Sequence, residues 1–439
     1  MAGARSVTVI GGGVLGLHLA DRLVARGAQV RVLEAAPAIG GLAGSHAVGD
    51  LTWDKFYHVI LESDARTRAL VDRAGLAGAI QWTTSRTGFY VDGRFHSMSN
   101  SIEFLRFPPL SLLAKARLGW TILRASRVAD ITSLEGELVE PWLRRHSGDA
   151  TFEGLWRPLL RAKLGERYHD TSAAFIGATI ARMYAARRAG LKQERFGWLP
   201  NGWGGVLAAL QHDLRQRGVE VQLNAPVTTV AQEGSTVTTQ LASGERLSSD
   251  AVVLTTSCRH VEAACDQLSA GERERLRAVE YLGVLCVSVL LDAPLAPYYV
   301  TNITDDTVPF TAVIEMSALA TPAALGGRGL VYLPTYLSPD DPRWRDDDET
   351  ITARALAGLE RLHPGARARV IATRVARARD VMALPTRHYT RDVLPPVATS
   401  LPGIFVANSA QIGAGTLNVN ETLGVVATAE RVLTHAGVI

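Results

Sequence analysis

Gly11, Gly13 and Gly16 form a G-x-G-x-x-G run directly after the apolar stretch Val7-Thr-Val-Ile10, and this spacing suits a turn wrapped around a pyrophosphate. The first two glycines permit a tight turn and close approach of backbone to phosphate, and Gly16 lets the next helix pack on the strand. Leu15, Leu19 and Leu23 give that helix an apolar face, and the backbone N–H groups of Val14 and Leu15 at its start are free for phosphate oxygens. A second strand-like stretch, Gln29-Val-Arg-Val-Leu33, ends at Glu34, where a carboxylate would accept hydrogen bonds from a ribose 2′-OH.

Ionisable side chains gather further on, in Trp53-Asp-Lys55-Phe-Tyr57-His58. Lys55, Tyr57 and His58 offer groups to bind a polar substrate or to act as acid and base, with histidine titrating near neutrality. In the competing reading Trp53, Phe56 and Tyr57 are core and His58 bonds to backbone. Among 46 basic residues only Lys55, Lys115, Lys163 and Lys192 are lysines. Lysine, unlike arginine, sheds its proton readily when buried, so a retained lysine is a candidate for chemistry. Lys163 gains a little from this argument, while Lys115 and Lys192 lie in polar-flanked helical stretches. Helical spacing places Arg157 and Arg161, and nearly Lys163, within reach of one anionic ligand, against the alternative of a solvated basic face.

The elements that must hold these residues come in several pieces. Val206, Leu207, Leu210 and Leu214 mark a helix after Trp198–Gly205, followed by strands at 218–224 and 226–230. Alternation over Thr236–Leu241 and Arg246–Leu254, joined at Ser243-Gly244, predicts a hairpin. A last strand at Pro402–Asn408 precedes a helix through Ala427 and Val432. Between these pieces, 99–195 is arginine-rich with a helical pattern, and strands are expected at Leu282–Leu291, Thr311–Met316 and Leu330–Tyr336. Phe104–Leu123, apolar with interspersed basic residues, fits plain core best, with a substrate tunnel or a bilayer surface as alternatives.

The 439 residues, 47% hydrophobic and 20% charged, describe a globular chain of more than one core. A formal charge of +3 is too small to argue for nucleic acid. Cys258, Cys265 and Cys286 are odd in number without C-x-x-C spacing, so disulfides and metal sites are not expected. The strand begins directly after Arg5 and no apolar run is long enough to span a bilayer, so a cytoplasmic protein is expected.

Past Glu34, the stretch Ala35-Ala-Pro-Ala-Ile-Gly40-Gly41-Leu42-Ala43 completes a run that resembles the FAD fingerprint of the amine oxidase, protoporphyrinogen oxidase and phytoene desaturase superfamily, in its protoporphyrinogen oxidase-like branch. The resemblance implies FAD rather than NAD, with Ala35, Gly40, Gly41, Leu42 and Ala43 at the cofactor. It implies an α/β fold: a Rossmann-like split FAD-binding domain (1–98, 196–262 and 385–439) and an α+β substrate domain (99–195 and 263–384) whose mixed sheet is covered by helices. It also implies that the backbone of Val227 meets the adenine, that Asn418, Val419 and Asn420 bring a helix N-terminus to the flavin, and that Tyr389, with His388 a weaker candidate, walls the ring. Asn408 and Ser409 stand where the superfamily commonly has an acid for the ribityl hydroxyls. The activity expected from the resemblance is hydride removal from a C–H of a small molecule, anionic or lipophilic. A non-redox sugar-nucleotide mutase or isomerase using reduced FAD is the rival.

Overall fold

The structure is a computed structural model that describes residues 5–187, 195–413 and 416–439. A parallel five-stranded sheet has the order Glu220–Gln222, Gln29–Leu33, Ser6–Ile10, Ala251–Leu254, Ile404–Val406, so three separated stretches of chain build it. Ala251–Leu254 is buried at every position, as expected for a strand covered on both faces. The period of two divides its neighbours cleanly. Val7, Val9 and Val253 pack with Leu17, Leu210 and Leu433 from the helices Val14–Ala25, Gly204–Gln216 and Val419–His435. Ile10, Val252 and Leu254 face the other way, onto Val230 and Val237 of an antiparallel three-stranded sheet and Val261 of the helix Cys258–Ala264.

The hairpin expected at Arg246–Leu254 differs in its second arm. Arg246–Ser249 pairs with Thr236–Leu241, but the chain breaks at Asp250 and Ala251–Leu254 joins the parallel sheet. Asp250 makes the break because its carboxylate accepts hydrogen bonds from both the backbone N–H and the hydroxyl of Ser6, each at 2.7 Å.

A seven-stranded mixed sheet lies beside this unit in the order Val370–Ala383, Tyr281–Leu291, Gly329–Leu337, Ala312–Glu315, Val300–Ile303, Thr87–Val91, Arg94–Ser97. The last two strands lie within 1–98, yet Thr87–Val91 pairs in parallel with Val300–Ile303 and so belongs to the large sheet. Tyr281–Leu291 is buried throughout: Leu282, Val284 and Cys286 face the helical segment of residues 101–187, while Leu285, Val287 and Val289 face the helix Asp348–Leu362. Its pairing with Val370–Ala383 jumps from Leu282↔Met382 to Val284↔Ala378, a bulge that sets Arg379, Asp380 and Val381 against Gly283 alone. All three cysteines are free and buried. Among the described residues no helix is long and apolar enough to cross a membrane, and no cluster of three or more His, Cys, Asp or Glu could hold a metal.

Candidate cofactor and active site

The glycine turn is built to a tolerance that side chains would violate. Gly11 has φ 113°, and a Cβ there would stand 2.4 Å from Thr255 Oγ1. A Cβ on Gly16 would stand 1.9 Å from the Gly11 carbonyl oxygen, which is the close helix–strand approach expected of the third glycine. The helix Val14–Ala25 starts at Gly13 with no side-chain cap and no acid in its first turn, so its amide groups remain available to an anion. The second glycine pair closes onto this turn: Gly40 donates to the Gly12 carbonyl at 2.8 Å, and Gly13 and Gly40 form an isolated bridge. Glu34 is fixed beside both, its Oε2 accepting from Gly12 N–H at 2.7 Å and its Oε1 from Ala36 N–H at 2.8 Å.

These turns wall a cavity of about 520 Å³ that also has Lys163 and Tyr336 in its lining. Of the residues read from sequence, Gly11, Gly13, Val14, Leu15, Glu34, Gly40, Gly41, Leu42, Ala43, Asn408, Ser409, Asn418 and Val419 line it, as do Tyr57, His58 and Lys163. Six do not. Gly16 lies beneath the turn, Ala35 is exposed, and Val227 is buried at the start of its own strand. Asn420 lines a second cavity of about 540 Å³ and accepts from Arg66 N–H at 3.1 Å. Lys55 turns back along the glycine turn, its Nζ about 3.4 Å from where a Gly44 Cβ would be. Tyr389 is 1% exposed and donates its hydroxyl to the Ala410 carbonyl at 2.9 Å, so it braces the Ser409–Ile412 turn instead of walling a ring.

The segment 53–58 divides between core and cavity. Trp53 is fully buried, and Asp54 accepts from Trp203 N–H at 2.7 Å while its carbonyl takes the Tyr332 hydroxyl at 2.7 Å. This anchoring turns Tyr57 and His58 into the cavity wall. The Tyr57 hydroxyl lies 2.9 Å from that of Tyr336, and the His58 Nδ1 lies 3.7 Å from the Asp54 carboxylate.

On the helix Arg157–Leu164, Arg157 pairs with Glu153 and Arg161 with Glu166, both at the surface. Lys163 lies two residues beyond Arg161, roughly 200° around the helix, and so points the other way. The three cations therefore do not converge on one anion. Lys163 places its Nζ 3.4 Å from the centroid of the Tyr336 ring, and the surface it retains is cavity wall. Burial alone lowers its pKa from 10.5 to about 7, which brings the neutral amine within reach near neutral pH. Burial pushes the phenols of Tyr57 and Tyr336 upward, keeping both protonated there. Lys192 lies outside the described residues. Lys115, read from sequence as polar-flanked and unremarkable, is buried and donates to the Leu105 carbonyl at 2.7 Å.

Sequence did not place the polar wall residues Tyr336, Arg182 and Asp380 at the site, nor Thr255, Thr256, Ser257 and Thr422. Tyr336 shares the alternate face of its strand with the buried Tyr332. Arg182 reaches the wall with both terminal nitrogens on Asp64, at 2.8 and 2.9 Å. Asp380 sits in the bulge opposite Gly283. Its Oδ2 accepts from the Ser257 hydroxyl at 2.9 Å, and its Oδ1 is buried without a hydrogen-bond donor, 3.6 Å from the half-exposed Arg259 guanidinium. The one hint in the sequence is an acid at the end of the arginine-rich run Arg374, Arg377, Arg379. Asn408, by contrast, spends its side chain inward: Oδ1 accepts from Ala410 N–H at 3.0 Å and Nδ2 donates to the Thr256 carbonyl at 2.8 Å.

A parallel sheet with a glycine-turned phosphate cradle, joined to a mixed sheet across one cavity, defines the architecture of FAD-binding oxidoreductases. The sequence profile of the flavin containing amine oxidoreductases matches residues 16–418, and the chain belongs to that family. It is 29% identical over 170 residues to the mitochondrial protoporphyrinogen oxidase of Nicotiana tabacum, a match that covers 37% of this chain and 33% of that one. Among solved structures, a putative protoporphyrinogen oxidase from Exiguobacterium sp. 255-15 superposes with a TM-score of 0.77 at 18% identity, covering 98% of both chains. Reduced UDP-galactopyranose mutase superposes at 0.74 with 14% identity, covering 98% of this chain and 96% of that one. At these identities the superpositions speak for the fold alone. FAD is the cofactor of the family, and the two uncapped or Asn-capped helix starts, the glycine cradle and Glu34 suit its phosphates, ribose and flavin.

Proposed function

We propose that the protein oxidises a small molecule by removing a hydride from a C–H next to a nitrogen or oxygen, with Lys163 taking the proton that the neighbouring N–H or O–H must lose. The observation that carries this reading is the enclosure of Lys163 against Tyr336 in the same cavity wall as the glycine turns. Bound FAD supplies the two-electron acceptor for the hydride. The neutral Nζ is a base of matched strength near pH 7, and the protonated Tyr57–Tyr336 pair, joined through its hydroxyls, keeps one hydroxyl proton to donate to the polar group of the substrate. Phe56, Val59, Val284 and Leu417 give the remaining wall an apolar character that excludes water. The product carries a C=N or C=O bond and two hydrogens fewer than the substrate. Anaerobic mixing of oxidised holoprotein with a panel of amines and alcohols tests this. Bleaching of the flavin with one product formed per flavin supports it, and product formed without bleaching contradicts it.

In this reading the cofactor is held by Gly11, Gly13, Val14, Leu15, Glu34 and Gly41 at its phosphates and ribose, and by Asn418 and Val419 at the flavin. Asp380, whose Oδ1 accepts no hydrogen bond and faces only the Arg259 guanidinium at 3.6 Å, takes the ribityl hydroxyls in place of the acid that Asn408 replaces. Asp380→Ala is expected to weaken FAD binding about tenfold in a fluorescence titration, the cost of roughly one charge-assisted hydrogen bond. Unchanged affinity would remove Asp380 from the cofactor site. The mutase reading has the superposition with UDP-galactopyranose mutase in its favour. An anionic sugar nucleotide needs charged, unpaired cations beside the flavin, however, and of the lysine and arginine in the described wall Arg182 is already taken by Asp64 and Lys163 is pushed by burial toward its neutral form.

A further inference from the structure

Seven large apolar side chains are exposed among the described residues, and five of them crowd into nineteen positions: Ile102 (63% exposed), Leu105 (58%), Leu112 (75%), Leu113 (72%) and Trp120 (59%). They belong to the helices Ser101–Arg106 and Leu112–Ala125, which the Lys115 ammonium ties together through the Leu105 carbonyl. Sequence favoured plain core for this stretch. The longer helix instead splits in two. Ala114, Lys115, Leu118, Thr121 and Ala125 are buried, while Leu112, Leu113, Ala116, Arg117, Trp120 and Arg124 occupy one exposed arc of roughly 140°. Exposed Arg106, Arg117, Arg124 and Arg127 border the apolar side chains, and none is paired with a carboxylate among the described residues. From 101 to 129 the sole acid is Glu103, which is turned onto Ser97 and Ser99.

We propose that this two-helix face docks on an anionic lipid surface, lying in the interface without spanning it. The charge pattern selects this occupant. Apolar side chains beside unpaired guanidinium groups match a bilayer whose acyl region takes Leu112 and Leu113, whose headgroup level takes the amphipathic Trp120, and whose phosphates take the arginines. A second copy of this chain fits poorly, because a two-fold contact would set these arginines against themselves.

Co-sedimentation of the full-length, FAD-loaded protein with vesicles tests the proposal. Vesicles of phosphatidylcholine with about 30% phosphatidylglycerol should bind it, at least roughly tenfold more tightly than phosphatidylcholine alone, and salt should weaken the binding. Leu113→Ser with Trp120→Ser should reduce binding by about tenfold or more, with flavin content and melting unchanged. If that variant folds poorly, Trp120→Phe serves: the blue shift of tryptophan fluorescence on adding vesicles should shrink. No binding to anionic vesicles overturns the proposal, and so does binding that the substitutions leave intact. A concentration-dependent dimer that the substitutions dissociate, without vesicle binding, assigns the face to a second copy and overturns it as well.

Discussion

Gly16→Ala is expected to give a colourless protein. The added methyl group would meet the Gly11 carbonyl oxygen at 1.9 Å and its carbon at 3.1 Å, and both belong to backbone that cannot swing aside. Relief requires the helix Val14–Ala25 to lift from its strand or the turn at Gly11 to open, and either movement misplaces the amides that face the phosphates. Losing a few such charge-assisted bonds costs about 3 to 4 kcal/mol, so FAD affinity should fall by two orders of magnitude or more. Gly205→Ala is the matched control: it lies in the helix Gly204–Gln216 with nothing within 4 Å of the added carbon, and should retain full colour. Flavin-to-protein absorbance ratios after dialysis measure both. A yellow Gly16→Ala protein of unchanged affinity would mean that the turn does not set the phosphate site.

Lys163→Met should abolish turnover while making the protein more stable. A buried ammonium without a carboxylate is a cost to folding, and the drop in its pKa to about 7 expresses that cost. Between pH about 7 and 10.5 the unfolded chain holds a proton that the folded chain has lost, so stability rises with pH across that window. At and below pH 7 the full penalty applies. The Tyr336 ring offsets part of it by attracting the cation, leaving a net gain of about 3 kcal/mol for methionine. Melting temperatures should therefore favour the variant at pH 6 to 7 and converge with the wild type near pH 10 to 11. Reduction by substrate should slow about a thousandfold, the usual worth of a positioned base, and the wild-type rate should climb with pH to a plateau above about 7. Lys163→Arg keeps a charge that cannot be shed, and should be equally inactive. Lys115→Arg disturbs the bond to the Leu105 carbonyl and should be read in melting, not in flavin reduction. Flavin reduction in Lys163→Met at the wild-type rate would sink the assigned role.

What could be read from sequence was local. The turn from Gly11 to Gly16, the place of Glu34 after its strand, and the apolar face of Val206, Leu207, Leu210 and Leu214 depend on residues a few positions apart, and the structure forms each of these local elements there. The grouping of Lys163 with Arg157 and Arg161 on one anionic ligand failed, although residues two apart on a helix do not share a face and the spacing already separated Lys163 from Arg161. Asp380 was not legible. It meets the cavity because two strands change register around Gly283, a property of the pairing and not of either strand alone. Tyr389 misled for a related reason: its position before the last strand brings it to the flavin half, but burial sends its hydroxyl to a backbone carbonyl. The stretch 102–120 shows the limit of composition. Leu105, Leu112 and Leu113 look like core by composition, yet they stay exposed while Leu110 and Leu118 are buried.

The central claim is net oxidation, and a single-turnover comparison tests it most directly. Oxidised and dithionite-reduced holoprotein are each mixed with the same substrate without oxygen, and product is quantified by mass. The oxidised form should yield one equivalent of a product two hydrogens lighter as its flavin bleaches, and the reduced form none. Turnover by the reduced form alone, to a product of unchanged mass, would contradict the account.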